Sequence, residues 1–490
     1  MASNLRDKTV SGIFWSFLQK AGAKAISFGV FVLLARLLKP KDFGIIGMMM
    51  VFIQLSQTIV QAGFNSALIQ KKDADEEDYS SVFYLNLWTS CFLYLILFIA
   101  APYIANFYNQ AVLSVLIKVL SLTIIINAFS YVQQARLVKE VRFKTLMIIH
   151  IPSTVLGGVI GIIMAFGGFG VWSLVMMQLV TNLAFAIQLW IYAKWRPTFA
   201  INWQKAKGLF SFGSKLMISG IITSVYNNIY LLIIGKFYPL TSVGYYQNAF
   251  NVSKTPSTLF SDILRSVTFP IFSSIQDDNK RLKQGYKRAM QQAFFWICPA
   301  YVLAGVLAMP LFQLVFSAKW LPAVPFFQWL CVVGVFYPLN VYNLNIANVK
   351  GRSDIWLKLQ TVRRIITILA IIAVFPYGIM ALLAVQAGSE VLTFLLFSHY
   401  AGRLINYTMF DQILDISSIL LLSVLIGGIV FFLNGMLTPL SAFYRVAIGV
   451  IVGGGLYWLL AQSFKLSSFI DFKLIYRSKI SSHLLSRSSS

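Results

Sequence analysis

Apolar runs of bilayer-spanning length follow one another from end to end of this 490-residue chain. A spanning helix needs roughly 20 predominantly apolar residues, because every backbone polar group inside hydrocarbon must be satisfied within the helix. Fourteen stretches read as spans: about 11–37, 44–66, 81–105, 112–134, 147–166, 170–193, 215–237, 245–270, 289–315, 326–348, 360–375, 379–400, 416–433 and 442–461. With 58% hydrophobic and 11% charged residues, the links hold no large soluble domain. The predicted class is therefore an all-α polytopic membrane protein. The first run follows Arg6 and Lys8 but precedes no small-residue cleavage site, so it reads as an uncleaved helix and not a signal peptide.

The net charge of +24 would point to nucleic acid in a soluble protein. Here the positions of the cations argue against that. Basic links carry Arg136, Lys139, Arg142 and Lys144; Lys194, Arg196, Lys205, Lys207 and Lys215; Lys280, Arg281, Lys283, Lys287 and Arg288; Lys350, Arg352, Lys358, Arg363 and Arg364. The alternate links are short and turn-like, and that side holds Arg36, Lys39, Lys41, Lys236, Lys319 and Arg445. Excess Lys and Arg mark the cytoplasmic side, so both termini are expected there. The acidic run Asp73–Asp78 reads as a solvated cytoplasmic loop face, and the tail of 466–490 as a poorly ordered cytoplasmic segment. Cys91, Cys298 and Cys331 lie in apolar runs and read as small buried hydrophobes, with neither disulfide nor metal spacing.

The chain contains an internal repeat. Arg36 and Gly44, around a turn with Pro40, recur at the same spacing as Lys236 and Gly244 around Pro239. Gly170 and Gln178 of GVWSLVMMQ recur as Gly378 and Gln386 of GIMALLAVQ, and Pro102 recurs as Pro310. Spans 1–6 and 7–12 then form two similarly oriented six-helix lobes, 1–200 and 201–405, with two further helices over 406–465. Parallel repeats of this kind mark transporters, with the substrate site between the halves.

Several spans carry polar stripes. The stretch Tyr245–Ile275 places Asn248, Asn251, Lys254, Thr258, Asp262 and Arg265 at steps of three or four, on one helical face. Lys20 and Lys24 mark the first span; Gln54, Gln57, Gln61 and Asn65 the second; Ser219, Thr223, Asn227 and Tyr230 the seventh. Polar groups at membrane depth are costly and normally face a bundle interior or a water-filled cavity. Four repeat-related stripes predict one cavity shared by the two halves. Interhelical hydrogen bonding is the alternative for the neutral residues, snorkelling for Lys20, and a structural Asp262–Arg265 pair for those two charges. The balance of Lys20, Lys24, Lys254 and Arg265 against Asp262 is cationic, which suits an anionic phosphate or pyrophosphate. Glu390 is a lone acid in the twelfth span and, with Asp262, a candidate for ion coupling. His150 reads as an interfacial histidine. No phosphate-binding loop, metal spacing or catalytic constellation is present, so the chain reads as a transporter, not an enzyme, and no cofactor is expected.

Three segments carry a family resemblance: ARLLKPKDFGIIGM, GFGVWSLVMMQ and GYYQNAFNVSKTPSTLFSDILRSVTFPIFSSIQDD. They resemble the polysaccharide-biosynthesis membrane proteins, the polysaccharide transporter branch of the multidrug/oligosaccharidyl-lipid/polysaccharide exporter superfamily, with its O-antigen and colanic-acid flippases. The resemblance covers nearly the whole chain. It implies a bacterial cytoplasmic membrane, twelve to fourteen helices in two lobes, alternating access, and a polyprenyl-pyrophosphate-linked oligosaccharide as cargo. It also implies a cationic lumen, a role in kind for Lys20, Lys24, Lys254 and Arg265. Protons or sodium as coupling ion, and association with a glycan polymerase or glycosyltransferases, stay open. A peptidoglycan-precursor flippase shares the same physics, whereas a cationic lumen opposes export of drug cations.

Overall fold

The computed structural model describes residues 22–61, 68, 74–199 and 203–473, excluding the side chains of 203–212, 215, 263–267 and 353. Among these residues the regular structure is entirely helical. Eleven helices are long and apolar enough to cross a membrane, or twelve when one bent pair counts as a span. Two of the fourteen expected spans are not in that number. The first is described only over 22–37, and the eighth is a long helix whose polar face lowers its hydropathy.

The described chain divides into two compact units, the first ending at Gln247 and the second beginning at Asn248, inside the eighth span. The seventh span therefore packs with the spans before it.

In the first unit, α1 covers 22–37 and α2 Pro40–Val60. Pro40 occupies the first helical position, where its missing N–H costs nothing, and the Asp42 carboxylate accepts from the Lys39 N–H at 3.0 Å. Next come α3 (Glu76–Phe107), α4 (Val112–Leu120), α5 (Leu122–Lys139), α6 (Phe143–Phe166) and α7 (Val171–Tyr192). The acidic run before α3 is not a simple loop. Asp75 accepts from the Asp78 N–H at 2.8 Å, Asp78 accepts from the Asp75 N–H at 3.1 Å, and Asp78 is buried. This reciprocal cap starts the helix. Helices α6 and α7 approach closely because Gly157 and Gly161 face them. A β-carbon on Gly157 would collide with Thr181, and one on Gly161 would lie 2.9 Å from the Met177 β-carbon. Gly170 and Gly378, matched in the repeat, both hold positive φ directly before their helices, as a turn into a helix requires of glycine here.

The seventh span is broken. Helices α8 (Trp203–Asn227) and α9 (Ile229–Phe237) are bent by 47° at the break. The Asn228 side chain stabilises the break by donating to the Ser224 carbonyl at 2.9 Å. Helix α10, Leu240–Ser274, begins in the first unit and continues into the second.

The second unit continues with α11 (Asn279–Val306), α12 (Ala308–Val315), a 3₁₀ turn (Ala318–Ala323), α13 (Val324–Val349), α14 (Ser353–Val374), α15 (Ile379–Leu404), α16 (Met409–Met436) and α17 (Ala442–Ser463). Arg363 and Arg364, read as link cations, lie within α14. The tail is ordered further than expected. Residues 467–473 are helical, with Phe469 buried 4.9 Å from the Trp458 ring and Phe472 5.4 Å from Trp296. These aromatic anchors dock a segment whose polarity alone predicts a loose end. Cys298 and Cys331 are buried as expected, but Cys91 is exposed. A helix within a bilayer presents apolar residues outward to lipid as well as inward, so an apolar run does not by itself mean burial.

Candidate functional site: a neutral polar cavity and a cationic helix

Four spans of the first unit surround a cavity of about 340 Å³. Gln54, Gln57 and Gln61 line it from the second span. The fourth span adds Thr123, Asn127, Ser130, Tyr131 and Gln134; the fifth His150 and Ser153; the sixth Gln178, Thr181, Asn182 and Phe185. Each set repeats at three- and four-residue steps, which places it on one helical face. The close α6–α7 packing brings the last two sets together. Among the described residues, no Asp, Glu, Lys or Arg lines the cavity.

Several of these groups bond within their own helices. Thr181 Oγ1 donates to the Met177 carbonyl at 2.7 Å, Asn182 Nδ2 to the Gln178 carbonyl at 2.7 Å, and Thr123 Oγ1 to the Leu120 carbonyl at 2.7 Å. Ser153 Oγ donates to the Ile149 carbonyl at 2.8 Å and accepts from Gln188 Nε2 at 2.9 Å. The His150 ring meets Phe185 edge-on at 5.3 Å between centroids and lies in the cavity wall. From the broken seventh span, Asn228 Nδ2 donates to Gln54 Oε1 at 3.3 Å. The neighbouring Asn227 is exposed.

The expected site residues therefore divide. Gln54, Gln57 and Gln61 come together in the first unit's cavity, with partners from spans 4 to 6 that went unnoticed in the sequence. The signal was present: Asn127, Ser130, Tyr131 and Gln134 repeat at the same spacing as the glutamines. Lys24 is half-buried on α1, whereas Lys20 and Asn65 lie outside the described residues, as does the side chain of Arg265.

In the second unit, α10 has two polar faces. Ser253, Ser257 and Ser261, at four-residue steps, are buried. Ser253 Oγ donates to the Leu330 carbonyl at 2.7 Å, Ser257 Oγ donates to the Gly334 carbonyl at 3.0 Å, and Tyr301 OH accepts from the Ser257 N–H at 3.1 Å. This face packs the helix. Lys254 and Asp262 are exposed, and Asn251 is half-buried. Lys254 Nζ lies 4.8 Å from the Phe250 ring centroid, a cation–π distance.

Glu390 is not a solitary acid. It is buried on α15, forms an ion pair with Arg363 of α14, and accepts from Asn340 Nδ2 of α13 at 2.7 Å. The partner Arg363, counted in the sequence among the basic cations, sits on a different helix from Glu390, so no spacing along one helix links the two. Among the described residues no His, Cys, Asp and Glu cluster is placed to hold a metal ion.

A family model described as "Polysaccharide biosynthesis protein" matches residues 33–325. The chain belongs to this family. Relatives include the teichuronic acid biosynthesis protein TuaB of Bacillus subtilis, 27% identical over 72% of this chain and 73% of the relative. The succinoglycan biosynthesis transport protein ExoT of Rhizobium meliloti is 26% identical over 70% of each chain. The lipopolysaccharide biosynthesis protein WzxC of Escherichia coli is 25% identical over 75% of each. In fold, this polysaccharide biosynthesis protein is similar to the lipid II flippase MurJ in an inward closed conformation. The TM-score is 0.75, at 15% identity over 92% of this chain and 98% of that one. An inward-facing multidrug transporter of the MATE family scores 0.61, at 17% identity over 78% and 95%. These two likenesses show that the chain shares the fold of both proteins.

Proposed function

We propose that this protein is a flippase that carries a polyprenyl-pyrophosphate-linked oligosaccharide from the cytoplasmic to the outer leaflet of a bacterial cytoplasmic membrane. Membership of the polysaccharide biosynthesis family, on a flippase-like fold, is the observation that carries this reading. A sugar chain cannot enter hydrocarbon unaided, because each hydroxyl would lose its water partners. Polar groups inside a protein replace that water, while the polyprenyl tail stays in lipid. The protein acts as a transporter without chemical turnover, by alternating access between lobes 1–200 and 201–405, with both termini cytoplasmic.

Within this mechanism Lys20, Lys24, Lys254 and Arg265 counter the pyrophosphate charge. Gln54, Gln57, Gln61, Asn65, Asn227 and Asn251 complete the polar path. Asp262 and Glu390 are the carboxylates for coupling to protons or sodium. Asp262 is exposed on α10. Glu390 can exchange an ion only if its Arg363 pair opens, which makes it the carboxylate tied to a structural change. The enzymes that build and polymerise the glycan are the natural functional partners.

Depletion of the protein tests the proposal. Lipid-linked oligosaccharide should build up on the cytoplasmic leaflet, read by its resistance to periodate in intact spheroplasts and its sensitivity in inverted vesicles. An unchanged leaflet distribution overturns it.

A further inference from the structure

The geometry points to a division of labour in cargo recognition: the first unit's cavity is a subsite for an uncharged, hydroxyl-rich sugar segment of the cargo, separate from the groups that hold its pyrophosphate. This inference rests on the transport function proposed above and names what that cavity binds.

Charge comes first. Among the described residues the wall presents carboxamides, hydroxyls, one imidazole, the Phe185 ring and the apolar side chains of Met50, Ile53 and Leu120, and no Asp, Glu, Lys or Arg. An anion or a cation brought into such a place would lose hydration with no countercharge to replace it. A neutral polyol meets no such penalty. Each sugar hydroxyl both donates and accepts a hydrogen bond, and so does each carboxamide, so Gln57, Gln61, Gln178 and Asn182 match it in kind.

Interhelical bonding takes up Gln54 and Ser153 but does not account for all of these groups. The α6–α7 contact is made through Gly157 and Gly161, and Thr181 and Asn182 turn donors back to their own helices. The Ser130 hydroxyl is buried, lines the cavity and has no hydrogen-bond partner among the described residues. A buried polar group of this kind calls for a ligand or water. Phe185 supplies an apolar face next to the His150 ring, suited to the C–H side of a sugar ring. The volume of about 340 Å³ falls at the small end of the roughly 300–1,000 Å³ typical of ligand sites, enough for a short piece of glycan and not for a whole lipid-linked unit.

The test uses the full chain in nanodiscs and two probes. One is the oligosaccharide released by mild acid from the lipid-linked pool of cells that make the protein; the other is sugar-free polyprenyl pyrophosphate. Wild type should bind both. The double substitution Gln57→Leu with Asn182→Leu should weaken oligosaccharide binding at least tenfold and leave polyprenyl pyrophosphate binding within twofold. If that variant does not fold, Gln57→Asn decides, since it keeps the amide but withdraws it by one methylene and should weaken oligosaccharide binding severalfold. Wild type that binds polyprenyl pyrophosphate but not oligosaccharide overturns the subsite and leaves the transport function standing, as does a folded variant with unchanged oligosaccharide binding. Wild type that binds neither probe removes both readings.

Discussion

Gly44 of α2 and Gly244 of α10, equivalent positions in the internal repeat, pack against each other's helix starts. A β-carbon on Gly44 would collide with the Leu240 carbonyl oxygen, and one on Gly244 with the Pro40 carbonyl oxygen. Leu240 stands to Gly244 as Pro40 stands to Gly44, so the two collisions are mirror statements of one near-symmetric crossing. Both obstacles are backbone and cannot rotate away. Gly44→Ala and Gly244→Ala should each lower the thermal unfolding midpoint, by the equivalent of about 1–3 kcal/mol for an overpacked contact. The double variant should cost less than the sum, because one shift of the helices relieves both. Gly428→Ala and Gly454→Ala, where nothing lies within 4 Å, are the controls and should stay near wild type.

The broken seventh span gives a second prediction. Asn228→Leu removes donors to both the Ser224 carbonyl and Gln54. The Ser224 carbonyl keeps the Asn228 backbone N–H at 3.2 Å, so the loss should be modest, about 0.5–1.5 kcal/mol by thermal unfolding. Asn227→Leu, one residue away and exposed, should leave the midpoint unchanged. Equal effects would mean that the side-chain bonds of Asn228 do not hold the break.

The Arg363–Glu390 pair is mostly hidden, at 18% and 10% side-chain exposure. Removing one partner leaves a buried charge uncompensated, a loss of about 3–5 kcal/mol. Glu390→Gln alone should therefore reduce the amount of folded protein in the membrane. Arg363→Met with Glu390→Leu should restore it, since Asn340 Nδ2 retains the Glu390 backbone carbonyl at 3.1 Å. The restored double variant then tests coupling. Loss of its response to an imposed proton gradient assigns coupling to Glu390, and an intact response moves the assignment to Asp262.

Charge at the cationic positions gives the fourth prediction. At matched membrane abundance, Lys24→Arg should retain part of the transport, Lys24→Ala should lose most of it, and Lys24→Glu essentially all, with Lys254→Glu behaving likewise. The readout is the leaflet distribution of lipid-linked oligosaccharide. Wild-type export by both charge-reversed variants would end the assignment of these lysines to the pyrophosphate.

Orientation is tested by reporter fusions at Ser490 and between Asp73 and Asp78. Cytoplasmic reporters should be active at both sites, and alkaline phosphatase activity at either would reverse the topology.

What the sequence determined was governed by short-range physics. Length and apolarity place the spans, because hydrocarbon forces each backbone segment to satisfy itself. Glycine and proline mark where helices start, as Pro40, Gly170 and Gly378 do. The repeat was visible because the same turn chemistry recurs at the same interval. Only the tertiary structure decided which polar stripes meet. Helical spacing says that Gln54, Gln57 and Gln61 share a face, but the partners of that face come from α5, α6 and α7, and no local rule chooses among helices. On α10 the serines and the charges all repeat at helical intervals, and packing against Leu330, Gly334 and Tyr301 chose the serine face for burial. Glu390 looked solitary because its partner Arg363 lies on another helix, and pairing across helices follows from packing distances that the spacing along one chain does not carry.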